Sequence, residues 1–248
     1  MQTQWIFYFG YGSLVNRETR PAGERSYPAR LRGWRRAWEH RVVGHGNNAG
    51  CTSLSIEPVR AESDALPDRE AIVQAGQKPG EKASDVTSEP AMMSAQSTGK
   101  ALARGSQTGI DGVLVLLPIE DLPNLDQREA GYDRLTLDVT DFEISDSIRS
   151  SLPDAVQLDS VAVYRSQMQN RQRAEERHPI LQSYVDCVLA GYLKQFGEAG
   201  VHYMLASSRG WDAFILDDRS APRYPRAVSV DAKLQRQFDE WLEPYRIA

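Results

Sequence analysis

Hydrophobic residues fall along this chain in short runs divided by polar turns, and their spacing predicts alternating strands and helices. Trp5-Ile6-Phe7-Tyr8 opens a run over residues 5–11 that is rich in aromatic and β-branched residues, the composition of a strand. Residues 33–43 read as an extended element anchored by Trp34, Trp38 and Val42, and residues 51–58 (CTSLSIEP) alternate and stop at a proline. The continuous apolar run 110–118 (IDGVLVLLP) has the pattern of a buried strand. Residues 119–130 read as helical, with Leu122 and Leu125 inward and Gly131 where a C-terminal cap would sit. Two further strands are RLTLDV at 134–139 and SVAVY at 160–164. The clearest helix covers 179–196, where Ile180, Leu181, Tyr184, Val185, Val188, Leu189, Tyr192, Leu193 and Phe196 recur at spacings of three and four. Pro179 suits its first turn and Gly197 its end. Residues 230–242 form a last amphipathic helix through Val230, Leu234, Phe238, Trp241 and Leu242. No internal repeat is visible.

Composition divides this pattern in one place. From Arg60 to Thr108 the chain is Ala, Ser, Gln, Gly, Glu and Lys without Phe, Tyr or Trp, too little apolar surface for a core. The stretch reads as a surface insertion between two strands with its ends close together, which loop-closure entropy tolerates. The 248 residues therefore suit a single domain with that insertion at 60–108 and a C-terminal extension at 197–248.

A net charge of −5 argues against general nucleic-acid binding, which needs a basic surface. Arg30, Arg32, Arg35 and Arg36 form a local basic cluster, the pattern of a solvated strand face or of a site for an anionic substrate. Two cysteines, Cys51 and Cys187, are no disulfide framework, so the expected compartment is a reducing cytoplasm. The N-terminal apolar run lacks a preceding basic segment and soon meets Gly, Asn and Arg, the pattern of neither a signal peptide nor a membrane span.

The candidate chemistry lies at two places. Directly after the first strand comes Phe9-Gly10-Tyr11-Gly12-Ser13-Leu14. Its glycines let the backbone turn sharply and approach a ligand, offering N–H groups to a carboxylate or a developing oxyanion. Taken alone, the segment is equally an ordinary tight turn. The second place is Leu125-Asp126-Gln127-Arg128-Glu129-Ala130-Gly131-Tyr132-Asp133-Arg134. Glu129 sits near the end of a predicted helix, where the dipole disfavours an anion and raises a carboxyl pKa. Asp126 and Asp133 flank it as alternative acid/base groups, and Tyr11 and Tyr132 are candidate polar-aromatic walls or core residues.

The Y-G-S-L turn after the first strand, the R-E-x-G-Y stretch before a later strand and the intervening ARLRGWRRAW together resemble the γ-glutamylcyclotransferase family, its ChaC-like and AIG2-like branches above all. The resemblance covers about residues 5–58 and 109–196. It implies a mixed α+β fold: a small, curled, mostly antiparallel β-barrel with flanking helices. It also implies that Tyr11, Gly12, Ser13, Leu14 and Tyr132 bind a small-molecule γ-glutamyl substrate, and that Glu129 is the catalytic acid/base. Such chemistry needs no metal, nucleotide or covalent intermediate, so no cofactor is expected. Departures are Val15-Asn16, where an Ile-Trp pair is usual in the ChaC-like branch, the insertion, and the long C-terminal part. They touch the leaving-group side of the substrate.

Rival chemistries have weaker support. Gly10-Tyr11-Gly12 lacks the third glycine of a dinucleotide fingerprint and the Gly-Lys-Ser/Thr ending of a phosphate loop. His40, His45, His178 and His202 form no zinc spacing. A Ser13 or Cys51 nucleophile with a histidine base remains an alternative, as does a binding module without turnover; neither residue has a G-x-S-x-G or papain-type context. Residues 211–228 cluster Arg219, Arg223, Tyr224 and Arg226 among prolines, the pattern of a connector wrapped over the body or of a segment completing the pocket.

Overall fold

The structure is a computed structural model that describes residues 4–43, 50–59, 69, 72, 108–152, 156 and 158–246. Eleven strands among the described residues form two sheets. They are β1 (Trp5–Gly10), β2 (Ser26–Arg32), β3 (Trp34–Arg41), β4 (Thr52–Pro58), β5 (Gly109–Pro118), β6 (Tyr132–Asp138), β7 (Phe142–Glu143), β8 (Ser160–Ser166), β9 (Ile180–Leu181), β10 (Ser208–Arg209) and β11 (Ile215–Leu216). Among the described residues they are accompanied by the α-helices α1 (Leu122–Arg128), α2 (Asp146–Ser151), α3 (Gln182–Ala206) and α4 (Ala232–Arg246).

One sheet runs β6-β8-β1-β5-β2-β7 and the other β10-β3-β4-β9-β11. The longer pairings, β1–β5, β2–β5, β3–β4 and β6–β8, are antiparallel; the shorter β1–β8, β3–β10, β4–β9 and β9–β11 pairings are parallel. β5 lies between β1 and β2 and is buried along nearly its whole length, which is why its sequence is a continuous apolar run. The two sheets touch along two lines. At one, Ser166 N–H of β8 donates to Ser55 Oγ of β4 at 3.0 Å. At the other, the Arg36 guanidinium of β3 donates to the Asp111 carbonyl of β5. The sheets thus curl into a half-barrel with helices packed around it, the mixed α+β architecture expected. Among the described residues no helix is long and apolar enough to cross a membrane.

The predicted elements appear with instructive differences. β2 was not foreseen, because SYPARLR reads as polar; it pairs with β5 over seven positions. The helix expected from Pro179 begins at Gln182, because Ile180-Leu181 pair as β9 and the Pro179 carbonyl accepts Thr52 N–H at 2.8 Å. Gly197 (φ +69°) breaks α3 where an end was expected, but a second helical stretch follows to Ala206. Met204, Leu205, Phe238 and Leu242 lie in the same apolar cluster as Phe7, Leu54 and Val115.

The basic cluster is split: Arg32 is exposed, Arg30 and Arg35 are half-buried, and Arg36 faces the interior. Arg36 is fully buried, donating to the carbonyls of Tyr11 and Asp111 and to the hydroxyls of Ser207 and Tyr192. The bulk of the insertion lies outside the described residues. Its flanks both bond to Gly33: Val59 N–H donates to the Gly33 carbonyl, and Gly33 N–H donates to the Thr108 carbonyl, each at 2.8 Å.

Candidate active site

The chain leaves β1 at Gly10 and turns at once. Val15 N–H and Asn16 N–H close the turn on the Gly12 and Ser13 carbonyls at 3.0 and 2.9 Å. The Tyr11 carbonyl points inward, where Arg36 Nε and the Tyr192 hydroxyl both donate to it at 3.0 Å. With that carbonyl engaged, the N–H groups of Gly12, Ser13 and Leu14 have no backbone partner among the described residues. Gly12 is needed for space: a Cβ there would lie 2.9 Å from the Tyr184 hydroxyl and 3.6 Å from Leu54. The close approach is thus made by a tyrosine of α3.

Glu129 arrives from the other side. α1 ends at Arg128, Glu129 is its C-cap residue, and Gly131 (φ +94°) turns the chain into β6. A Cβ on Gly131 would clash with Val43 at 2.7 Å, so glycine is required there on two grounds. The turn and the carboxyl meet in one small cavity of about 40 Å³, lined by Phe9, Tyr11, Gly12, Ser13, Leu14, Leu54, Glu129, Tyr132, Tyr164 and Tyr184. Tyr11, Gly12, Ser13, Leu14, Glu129 and Tyr132, the residues expected to bind substrate or catalyse, all lie in this wall. Asp126 does not: it accepts from the Tyr164 hydroxyl at 2.5 Å and pairs with Arg134 at 2.6 Å. Asp133, exposed on β6, is also absent from it.

Burial raises the Glu129 pKa above the usual carboxyl value, opposed by the charges of Arg128 and Arg226. Arg128 Nε lies 3.2 Å from Glu129 Oε1, and 16% of the Glu129 side chain stays accessible. The carboxyl is therefore desolvated yet reachable, the condition of a proton-transfer group.

The aromatic walls are fixed by hydroxyls spent elsewhere. Tyr11 OH donates to the Tyr164 carbonyl at 2.7 Å. Tyr132 OH donates to the Leu54 carbonyl at 2.7 Å and lies 2.9 Å from Ser53 Oγ. Its ring stacks on His40 at 3.8 Å, and burial pushes that imidazole down to about 4, so it is neutral at ordinary pH. Both tyrosines thus offer the pocket ring faces rather than free donors. Burial holds Tyr11, Tyr132 and Tyr184 well above the usual phenol range.

Sequence reasoning missed Tyr184, Leu54 and Tyr164 as wall residues. Tyr184 was absorbed into the apolar stripe of α3; a tyrosine amid Ile, Val and Leu was the available signal. Residues 211–228 pass over the site. Asp218 accepts Ser183 N–H at 2.7 Å and Ser183 OH at 2.6 Å, capping the start of α3. Arg219 joins Asp186 and Asp239 at 2.7 and 2.8 Å. The Tyr224 ring then sits 4.8 Å from that of Tyr184, its hydroxyl beside the Ser13 side chain.

No protein-family model matches the chain, and no curated protein is similar to it in sequence. Among solved structures it is similar to a protein called gamma-glutamyl cyclotransferase, with 11% identity over 96% of this chain and 99% of that one, at a TM-score of 0.49. An uncharacterized protein from Homo sapiens matches with 11% identity over 95% and 99% of the two chains, at a TM-score of 0.48. A gamma glutamyl cyclotransferase specific to glutathione from yeast matches with 13% identity over 98% and 97%, at a TM-score of 0.40.

No described histidine is hydrogen-bonded to Ser13 or Cys51. His40 Nδ1 bonds Ser166 Oγ at 2.8 Å, His178 faces Glu175, and His202 faces Glu198; His45 lies outside the described residues. Burial also pushes the Cys51 thiol up, away from the thiolate. Among the described residues no group of His, Cys, Asp and Glu could hold a metal ion.

Proposed function

We propose that the protein is a γ-glutamylcyclotransferase-type enzyme, of the ChaC-like or AIG2-like kind, that releases 5-oxoproline and a free amine from a γ-glutamyl compound such as glutathione, a γ-glutamyl amino acid or a γ-glutamyl amine. The observation that carries this reading is the meeting of Glu129 with the Gly12–Leu14 turn in one water-poor cavity. A carboxyl of raised pKa faces a run of backbone N–H groups held open by Arg36.

In the proposed reaction the substrate supplies its own nucleophile, so proximity is built in. Glu129 takes a proton from the α-ammonium, and the freed nitrogen attacks the γ-carbonyl carbon. The oxyanion that develops is met by the N–H groups of the turn. The ring closes as the bond to the leaving nitrogen breaks. The α-nitrogen gives up two protons in all; Glu129 relays them to the leaving nitrogen, which departs as an ammonium. The engaged histidines and the undissociated Cys51 thiol disfavour a Ser or Cys nucleophile. A binding module without turnover is the outcome to which a negative assay would lead.

The test is Glu129→Gln. The amide keeps the shape but cannot accept the proton, so 5-oxoproline release falls by roughly 10²–10⁴-fold while the variant folds. A folded variant that turns over at the parental rate would remove Glu129 from the mechanism.

A further inference from the structure

The cavity of about 40 Å³ holds little more than a water molecule, far below the usual size of ligand sites, roughly 300–1,000 Å³. A γ-glutamyl substrate therefore extends beyond this cavity, and Tyr224 of residues 211–228 packs on its Tyr184 wall. That segment is tied down through Asp218 and Arg219, and it closes on the pocket at Tyr224. The Ala227 N–H donates to the Tyr224 carbonyl at 3.1 Å, so Pro225 and Arg226 are the two central residues of a turn. Arg226 therefore projects from a turn whose first residue already touches the site. It is exposed and makes no hydrogen bond or ion pair with any described residue, unlike Arg219 in the same segment. Its charge lowers the pKa of Glu129, Tyr224 and Cys187, so it acts on the site from the turn that begins at Tyr224.

We propose that Arg226 is a specificity-determining residue: its guanidinium pairs with a carboxylate on the leaving group, so that the enzyme prefers γ-glutamyl amino acids and peptides to γ-glutamyl amines without an acid. The inference rests on the cyclotransferase reading. Guanidinium suits this task, since its planar donors match a carboxylate. The pairing also acts on the chemistry. Arg226 favours the ionised form of Glu129; a bound carboxylate offsets that charge and strengthens Glu129 as a base when the preferred substrate is in place.

The experiment compares kcat/KM for γ-glutamylglycine and for its C-terminal amide, read as 5-oxoproline, in the parent, Arg226→Ala and Arg226→Lys. The parent should prefer the acid by about tenfold, the scale of one charge-assisted hydrogen bond at a partly exposed site. In Arg226→Ala the ratio should fall to near one, and Arg226→Lys should keep part of it. The acid limb of the kcat/KM profile should also move to higher pH in Arg226→Ala, because a charge that lowers the Glu129 pKa is gone. An unchanged acid-to-amide ratio in Arg226→Ala overturns the inference and leaves the cyclotransferase reading standing. If the parent releases 5-oxoproline from neither compound, the inference falls; the cyclotransferase reading falls with it only if glutathione and a γ-glutamyl amine are also left intact.

Discussion

Two cavities flank the C-terminal end of α1, one lined by Arg128 and the other by Glu129, its chain neighbour and ion-pair partner. The larger, about 800 Å³, is walled by Trp5, Leu116, Leu117, Pro118 and Leu125, with Arg128 at its edge. The smaller, about 40 Å³, holds Glu129, to which the same arginine is paired. Size would point to the first as the functional site. Its most enclosed carboxyl, Glu24, is also pushed up by burial, but it sits between the Tyr8 hydroxyl at 3.4 Å and the Arg20 guanidinium at 3.9 Å. In the smaller cavity the carboxyl is desolvated, the turn N–H groups are unengaged and five aromatic rings exclude water. Pre-set groups in a water-poor space, rather than volume, distinguish a reacting site.

The sharpest way to break this comparison, after the loss of turnover in Glu129→Gln, is to attack what holds the small cavity open. Arg36→Met should cost about 2–4 kcal/mol, because it strands buried carbonyls and hydroxyls that nothing else can satisfy. It should also weaken 5-oxoproline release, since the freed Tyr11 carbonyl can compete for the turn. Urea unfolding and the activity assay check both; parental stability would show that Arg36 does not hold the turn.

A smaller effect tests the cost of keeping a carboxyl in that space. Between the ordinary glutamate value of 4.5 and its raised folded value, the folded protein keeps a proton that the unfolded chain has released. Stability therefore falls as pH rises through that window. Glu129→Gln removes this loss, so the variant should exceed the parent in stability at pH 7, and the gain should vanish below about pH 4. Unfolding midpoints of both proteins at the two pH values decide it; a variant less stable than the parent at pH 7 would mean that the carboxylate is well compensated.

The smallest effect is expected in the large cavity. Trp5 is 37% exposed at its rim. Trp5→Ala should leave 5-oxoproline release within about twofold of the parent, as for surface changes away from a site. A tenfold loss would mean that the large cavity takes part in the reaction.

What could be read from the sequence depended on whether a residue's role is local. The turn and the stretch around Glu129 are contiguous motifs next to predictable strands, so both could be picked out, although α1 proved one turn shorter than expected. Tyr184 and Tyr224 reach the site through packing between distant segments, and no spacing rule connects them to Ser13. Arg36 shows the opposite failure. Four arginines near one another suggest a solvated face, yet strand alternation turns one of them into the interior, where carbonyl groups rather than carboxylates satisfy it. β9 displaced the first turn of the expected helix because a strand partner outweighed the helical preference of a Pro-led segment.

Gly33 has a consequence for how this protein can be altered. The two residues that flank the polar stretch, Val59 and Thr108, are both fastened to that one glycine. Within the stretch Arg69 also pairs with Asp111 at 3.0 Å, so it too is joined to the body, and added length costs the fold closure entropy, about 0.6 kcal/mol for each doubling. Sequence added there costs the fold little as long as the Arg69–Asp111 pair is kept. The same addition between Gly10 and Leu14 would pull apart the turn that shares a cavity with Glu129.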